Sequence, residues 1–129
     1  MLNKIVIRYA DGKVKKGTTE DFFPNKNVFH IRDNDNGESL KISIESLKAV
    51  FFVKSFEGDC NRQKRNDIDR VGLGKKIKVC FKDTEVLIGY TQGYSKERVG
   101  FILFPADPDS NNVKAFIVTA ATDNISFVL

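Results

Sequence analysis

With 129 residues, 41% of them hydrophobic, eleven Phe and three Tyr, the chain has the length of one ordinary domain and the composition of a folded, β-rich protein. No long tract lacks apolar residues, which excludes a disordered chain, and Cys60 and Cys80 give neither a disulfide framework nor a metal-ligand spacing, so no cofactor or metal is expected. The formal charge of +4 is mild and sits mainly in residues 54–76, which hold seven of the 21 basic side chains against four of the 17 acidic ones, too little by itself to mark a nucleic-acid binder.

The N-terminal stretch Leu2 to Tyr9 reads as a strand and not a signal peptide, because Lys4 and Arg8 interrupt any apolar run. No run approaches the roughly 20 apolar residues needed to cross a bilayer. The expectation is a cytoplasmic protein with no membrane contact. Ile5, Ile7 and Tyr9 alternate with Lys4, Val6 and Arg8, the period of a strand with one buried face. Asp11-Gly12 supplies a hairpin turn, and the chain returns from Val14, with Gly17 marking a bend where another backbone comes close. Pro24 to Asn27 is a turn before the strand Val28 to Arg32, and Asp33 to Gly37 is a polar turn before Leu40, Ile42 and Ile44. Glu45-Ser46-Leu47 reads as a single turn. Ala49 to Val53 is apolar at every position, as expected of a strand covered on both faces, with the cover supplied by a second unit.

That second unit is in the sequence. An offset of 72 pairs Ile5 with Ile77, Tyr9 with Phe81, Asp11 with Asp83, Gly17 with Gly89, Thr19 with Thr91, Phe22 with Tyr94 and Phe29 with Phe101. An offset of 75 then pairs Ile42 with Ile117, Val50 with Ile125, Phe52 with Phe127 and Val53 with Val128. One module is used twice. Residues 1–55 form the first copy, 56–74 a charged linker and 75–129 the second, with strands near 76–82, 85–92, 100–105, 113–119 and 124–128. Each copy alone is marginal for a stable core, so the two are expected to pack face to face. The sum is an all-β protein of two tandem five-stranded, strongly bent antiparallel barrels packed as a pseudo-dimer.

Ile5, Ile7, Asp11, Gly12, Lys13, Gly17, Phe22 and Asn27 fall at the places of the first motif of the Sm-like superfamily of small, SH3-like barrels, which the span Ile5 to Ile31 resembles. A weaker copy runs from Ile77 to Leu103. The resemblance implies the small-barrel fold. It does not carry over the RNA-binding members' base pocket, since Phe23 and Ser95 stand where those members have Asp, and Val99 replaces Asn27 in the second copy. The whole chain also resembles a group of uncharacterised bacterial proteins built from this duplicated module.

Catalysis needs a positioned acid, base, nucleophile or metal. His30, the lone histidine, has the parity opposite to Phe29 and Ile31 and reads as outward-facing. Cys80 has no other histidine to serve as its base. Asp107 and Asp109 lack the glycine and the terminal Glu of a calcium loop. No enzyme is expected. The linker basics Arg62, Lys64, Arg65 and Arg70 are suited to phosphate, but Glu57, Asp59, Asp67 and Asp69 balance them. Arg65 and Arg70 also miss the spacing of a cyclic-dinucleotide receptor by one residue. Aromatic and basic residues meet near two equivalent turns, at Phe23, Lys26 and Asn27 and at Lys96 and Arg98. The reading that follows is a non-catalytic binding or adaptor protein that contacts a protein partner through sheet edges or loops. Single-stranded RNA or DNA binding through the loop aromatics and linker basics is the alternative, with cyclic-dinucleotide sensing behind it, and a homo-oligomer is compatible with all three.

Overall fold

The computed structural model describes residues 3–23, 26–56, 72–94, 97–106 and 111–128. The first repeat holds β1 (Asn3–Tyr9), β2 (Val14–Thr19), β3 (Val28–Asp33), β4 (Ser39–Ser43) and β5 (Leu47–Val53). The second holds β6 (Lys75–Phe81), β7 (Val86–Thr91), β8 (Gly100–Pro105), β9 (Asn112–Val118) and β10 (Thr122–Phe127). A single 3-10 turn precedes the last strand of each repeat, Ile44–Ser46 in one and Thr119–Ala121 in the other. Among the described residues no helix is long and apolar enough to cross a membrane.

Among the described residues all strand pairs are antiparallel, and ten strands form one open sheet in the order β10-β6-β7-β8-β9-β5-β1-β2-β3-β4. Each repeat contributes the same local order, its fifth strand beside its first. The expectation that the two copies pack face to face is therefore corrected: the halves join edge to edge, through backbone pairing of β5 with β9 from Ala49↔Ile117 to Val53↔Asn112. The physical reason lies in the side chains. β5 is buried at all seven positions, and β9 is buried from Ala115 to Val118. Two such strands, side by side, present one apolar face to each of two cores.

Those cores lie on opposite faces of the shared wall. Val50 and Phe52 of β5, with Phe116 and Val118 of β9, join Ile5, Ile7, Phe29, Ile31 and Ile42 in the first core. Ala49, Phe51 and Val53, with Ala115 and Ile117, join Ile77, Val79, Phe81, Phe101 and Leu103 in the second. The alternation of side chains along a strand makes this division automatic. β3 and β4 pack in the same core as β5 and β9, so the sheet rolls over on itself in each half. Gly17 permits the roll: a Cβ there would lie 2.2 Å from the Arg32 carbonyl oxygen, and at its counterpart Gly89 it would lie 2.3 Å from that of Phe104.

The two copies match down to single hydrogen bonds. The Thr19 hydroxyl donates to the His30 carbonyl at 2.7 Å, and the Thr91 hydroxyl to that of Ile102 at 2.9 Å. Lys13 N–H donates to Asp11 Oδ1 and Glu85 N–H to Asp83 Oδ1, each at 3.0 Å. Both buried threonines thus satisfy a polar group at the bend, and both aspartates close an Asx turn. The linker reading at 56–74, with Cys60, falls almost wholly outside the described residues, as does the loop of Asp107 and Asp109.

Candidate functional site

The internal repeat provides a built-in control for which surfaces are covered. β5 and β10 are equivalent strands, yet Phe52 and Val53 are 7% and 8% exposed, while Phe127 and Val128 are 48% and 41% exposed. The difference is the neighbour: β5 lies between β1 and β9, whereas among the described residues β10 pairs with β6 alone and forms one edge of the sheet. At the other edge, β4 pairs, among the described residues, only with β3 and exposes Ser39, Lys41 and Ser43.

The direction of the edge backbone groups follows from bonds already made. His30 N–H is bound by Asp21 Oδ1 at 2.9 Å and His30 C=O by Thr19, both on the side away from β4. His30 and Lys41 are therefore a non-hydrogen-bonded pair, and the Lys41 backbone N–H and C=O point outward from the sheet. On β10, Val128 N–H donates inward to Lys76 O at 3.0 Å, so by alternation Phe127 and Ile125 direct theirs outward. Among the described residues both edges offer unpaired strand backbone, and the β10 edge adds an aromatic and an aliphatic side chain.

A second feature is a groove of about 990 Å³ where the repeats meet, lined by Asn27 of the first repeat and by Gln92, Arg98, Phe101, Phe104 and Lys114 of the second. The structure thus brings together two predicted residues from different repeats, Asn27 and Arg98. Phe23 is exposed, and Lys26 lies over its ring at 4.9 Å. Phe22 instead packs into the first core, edge-on to Phe29, Phe52 and Phe116. Arg62, Lys64, Arg65, Arg70 and Lys96 lie outside the described residues. Lys114 was not foreseen; its ammonium lies 5.0 Å from the Phe52 ring centre, across the junction of the repeats.

Two side-chain clusters organise the rest. Lys48, buried within β5, meets Asp83 at 2.7 Å, pairs with Glu85 and lies over the Phe81 ring at 4.6 Å, tying the first repeat to the β6–β7 hairpin. The hydrogen bond from the Lys48 ammonium, aided by the Glu85 N–H, holds the Asp83 carboxyl below its ordinary range. His30 is exposed, with Nδ1 at 2.8 Å from Asp21 Oδ2, so Nδ1 carries the proton toward the carboxylate. Partial burial of Asp21 acts upward on its pKa, but the His30 backbone and side-chain donors and the Thr19 hydroxyl outweigh it and hold the carboxyl low. The pair fastens the β2–β3 connection to β3. Cys80 lies half-buried on β6, on a strand far from β3 in the sheet order.

No curated protein and no solved structure matches the chain. A protein-family model described as "Family of unknown function (DUF6982)" matches residues 1–128, almost the full length, and the chain belongs to that family.

Proposed function

We propose that the protein is a non-catalytic binding or adaptor module that contacts a protein partner through the edges of its sheet. The observation that carries this reading is the contrast between Phe52 and Phe127: the same position of the same module is covered where a strand lies beside it and open where none does. An edge strand with outward backbone groups and exposed apolar side chains is suited to strand addition, in which main-chain hydrogen bonds supply affinity and alternate side chains supply selectivity. Within this proposal each half is a strongly bent, barrel-like roll of the Sm-like kind, and the two cysteines without a pairing pattern favour the cytoplasm.

Single-stranded nucleic acid is a second reading, favoured by one feature: Arg98, Lys114 and Asn27 line the same groove, with Phe23 and Lys26 next to it in the chain. The two readings separate by salt. Wild-type protein and Phe127→Lys are used to capture partners at low salt and at about 0.5 M, where the Debye length falls to a few ångströms. In parallel, fluorescence anisotropy follows labelled RNA and single-stranded DNA. A partner retained at high salt and lost with Phe127→Lys supports the edge reading. Affinity for nucleic acid that falls steeply with salt and with Arg98→Ala and Lys114→Ala, without any edge-dependent capture, overturns it.

A further inference from the structure

We infer that the partner seated on these edges is a second copy of the chain, docked head to tail so that β10 of one copy pairs with β4 of the next. This rests on the sheet-edge reading above and names its occupant. The argument comes from the junction inside the molecule. There the fifth strand of one repeat, β5, pairs with the fourth strand of the other, β9. The two strands left at the edges are the fifth strand of the second repeat and the fourth strand of the first, β10 and β4. They are the same two kinds of strand, and docking two copies repeats a junction the molecule already contains.

The register can be transferred. Val50 faces Phe116 across the internal junction, and the offset of 75 carries this pair to Ile125 of one copy and Lys41 of the other. Ile125 and Lys41 are residues whose backbone groups point outward at the two edges, as this pairing requires. Phe51 and Ala115 become Ser126 and Leu40, and Phe52 and Lys114 become Phe127 and Ser39. In the internal junction Phe22 touches both Phe52 and Phe116. Its counterpart Tyr94 already meets Phe127, with ring centres 6.4 Å apart, and Lys41 of the second copy would come to the position held internally by Phe116. An ammonium there has the face of a tyrosine ring to rest on.

The internal junction fixes the polarity of the contact, since it sets a fifth strand against a fourth strand and not a strand against its own kind. The head-to-tail contact is heterologous, so assembly continues until it closes into a ring or runs on as a filament.

The test is sedimentation velocity on the full chain over a range of micromolar concentrations, with two edge variants. Lys41→Pro removes an outward N–H and leaves the β3–β4 bonds intact; Phe127→Lys puts a charge on the other edge. Circular dichroism and melting confirm that both fold. The wild type is expected to exceed the 14.6 kDa monomer mass in multiples, and each variant to weaken self-association by at least about tenfold. An equimolar mixture of the variants is expected to form one-to-one dimers, because each retains the edge the other lacks. A wild type that stays monomeric while Phe127→Lys still abolishes capture of another protein overturns the inference and leaves the sheet-edge reading standing. A monomer with no edge-dependent capture overturns both. Self-association unchanged by either variant overturns the head-to-tail pairing.

Discussion

Thr84 has φ of +79°, the one positive φ at a non-glycine among the described residues, and it occupies the turn position where the first repeat has Gly12 at +96°. A β-branched side chain is strained there, so Thr84→Gly is expected to raise stability by about 1 kcal/mol, read as a shift of the urea midpoint without a change in slope. The reverse change, Gly12→Thr, is expected to lower it. This strain was legible in the sequence, because the repeat placed a threonine opposite a turn glycine; so was the close approach at Gly17, echoed by Gly89. Lys48 was not. A lone lysine between leucine and alanine gives no sign that Asp83 and Glu85, far along the chain, will reach it, and its repeat counterpart Asp123 is exposed. Its consequence is a pH dependence. A carboxyl held low contributes stability fully above the ordinary value of 3.8 and loses it as the pH falls through the lower, folded-state value. Wild type is therefore expected to be more stable than Asp83→Asn at neutral pH, with the two acid-unfolding curves converging below that ordinary value.

At the scale of the strand, the period-two patterns and the two offsets placed nine of these strands to within two residues and the start of β2 at Val14, and Glu45-Ser46-Leu47 marked the short turn that the structure puts at Ile44–Ser46. Local alternation and turn chemistry are properties of neighbours in the chain, which is why they could be read. Which strands pair between repeats is decided by residues about 60 to 70 positions apart, and nothing in the apolar run of Ala49 to Val53 distinguishes a wall between two cores from a strand beneath a facing barrel. The same limit hid the difference between β5 and β10, whose apolar residues match while their surroundings do not. Phe52→Ala is expected to cost about 3–5 kcal/mol in chemical unfolding, because it opens the first core. Phe127→Ala, half exposed in the single chain, is expected to cost under about 1.5 kcal/mol at concentrations too low for self-association. Equal costs would show that β10 is buried in the dilute molecule.

The whole molecule is joined by its shared wall, and its unfolding should show it. Each core takes residues from both repeats, so a single cooperative transition in urea is expected, with fluorescence and circular dichroism coincident, in place of two steps of about half the slope. The groove between the repeats was partly legible: Asn27 and Arg98 were singled out as loop residues, but Lys114 and Gln92 join them only through the edge-to-edge arrangement. The shared wall also bears on how the protein is made. A ribosome releases the chain in order, and residues 1–53 emerge with Val50 and Phe52 in place but without Phe116 and Val118 to finish their core. At about 5–20 residues per second, the missing strand follows several seconds later. During that interval the nascent first half presents an open apolar strand, and β9, arriving from the same polypeptide, competes for it with the equivalent strand of any neighbouring chain under synthesis.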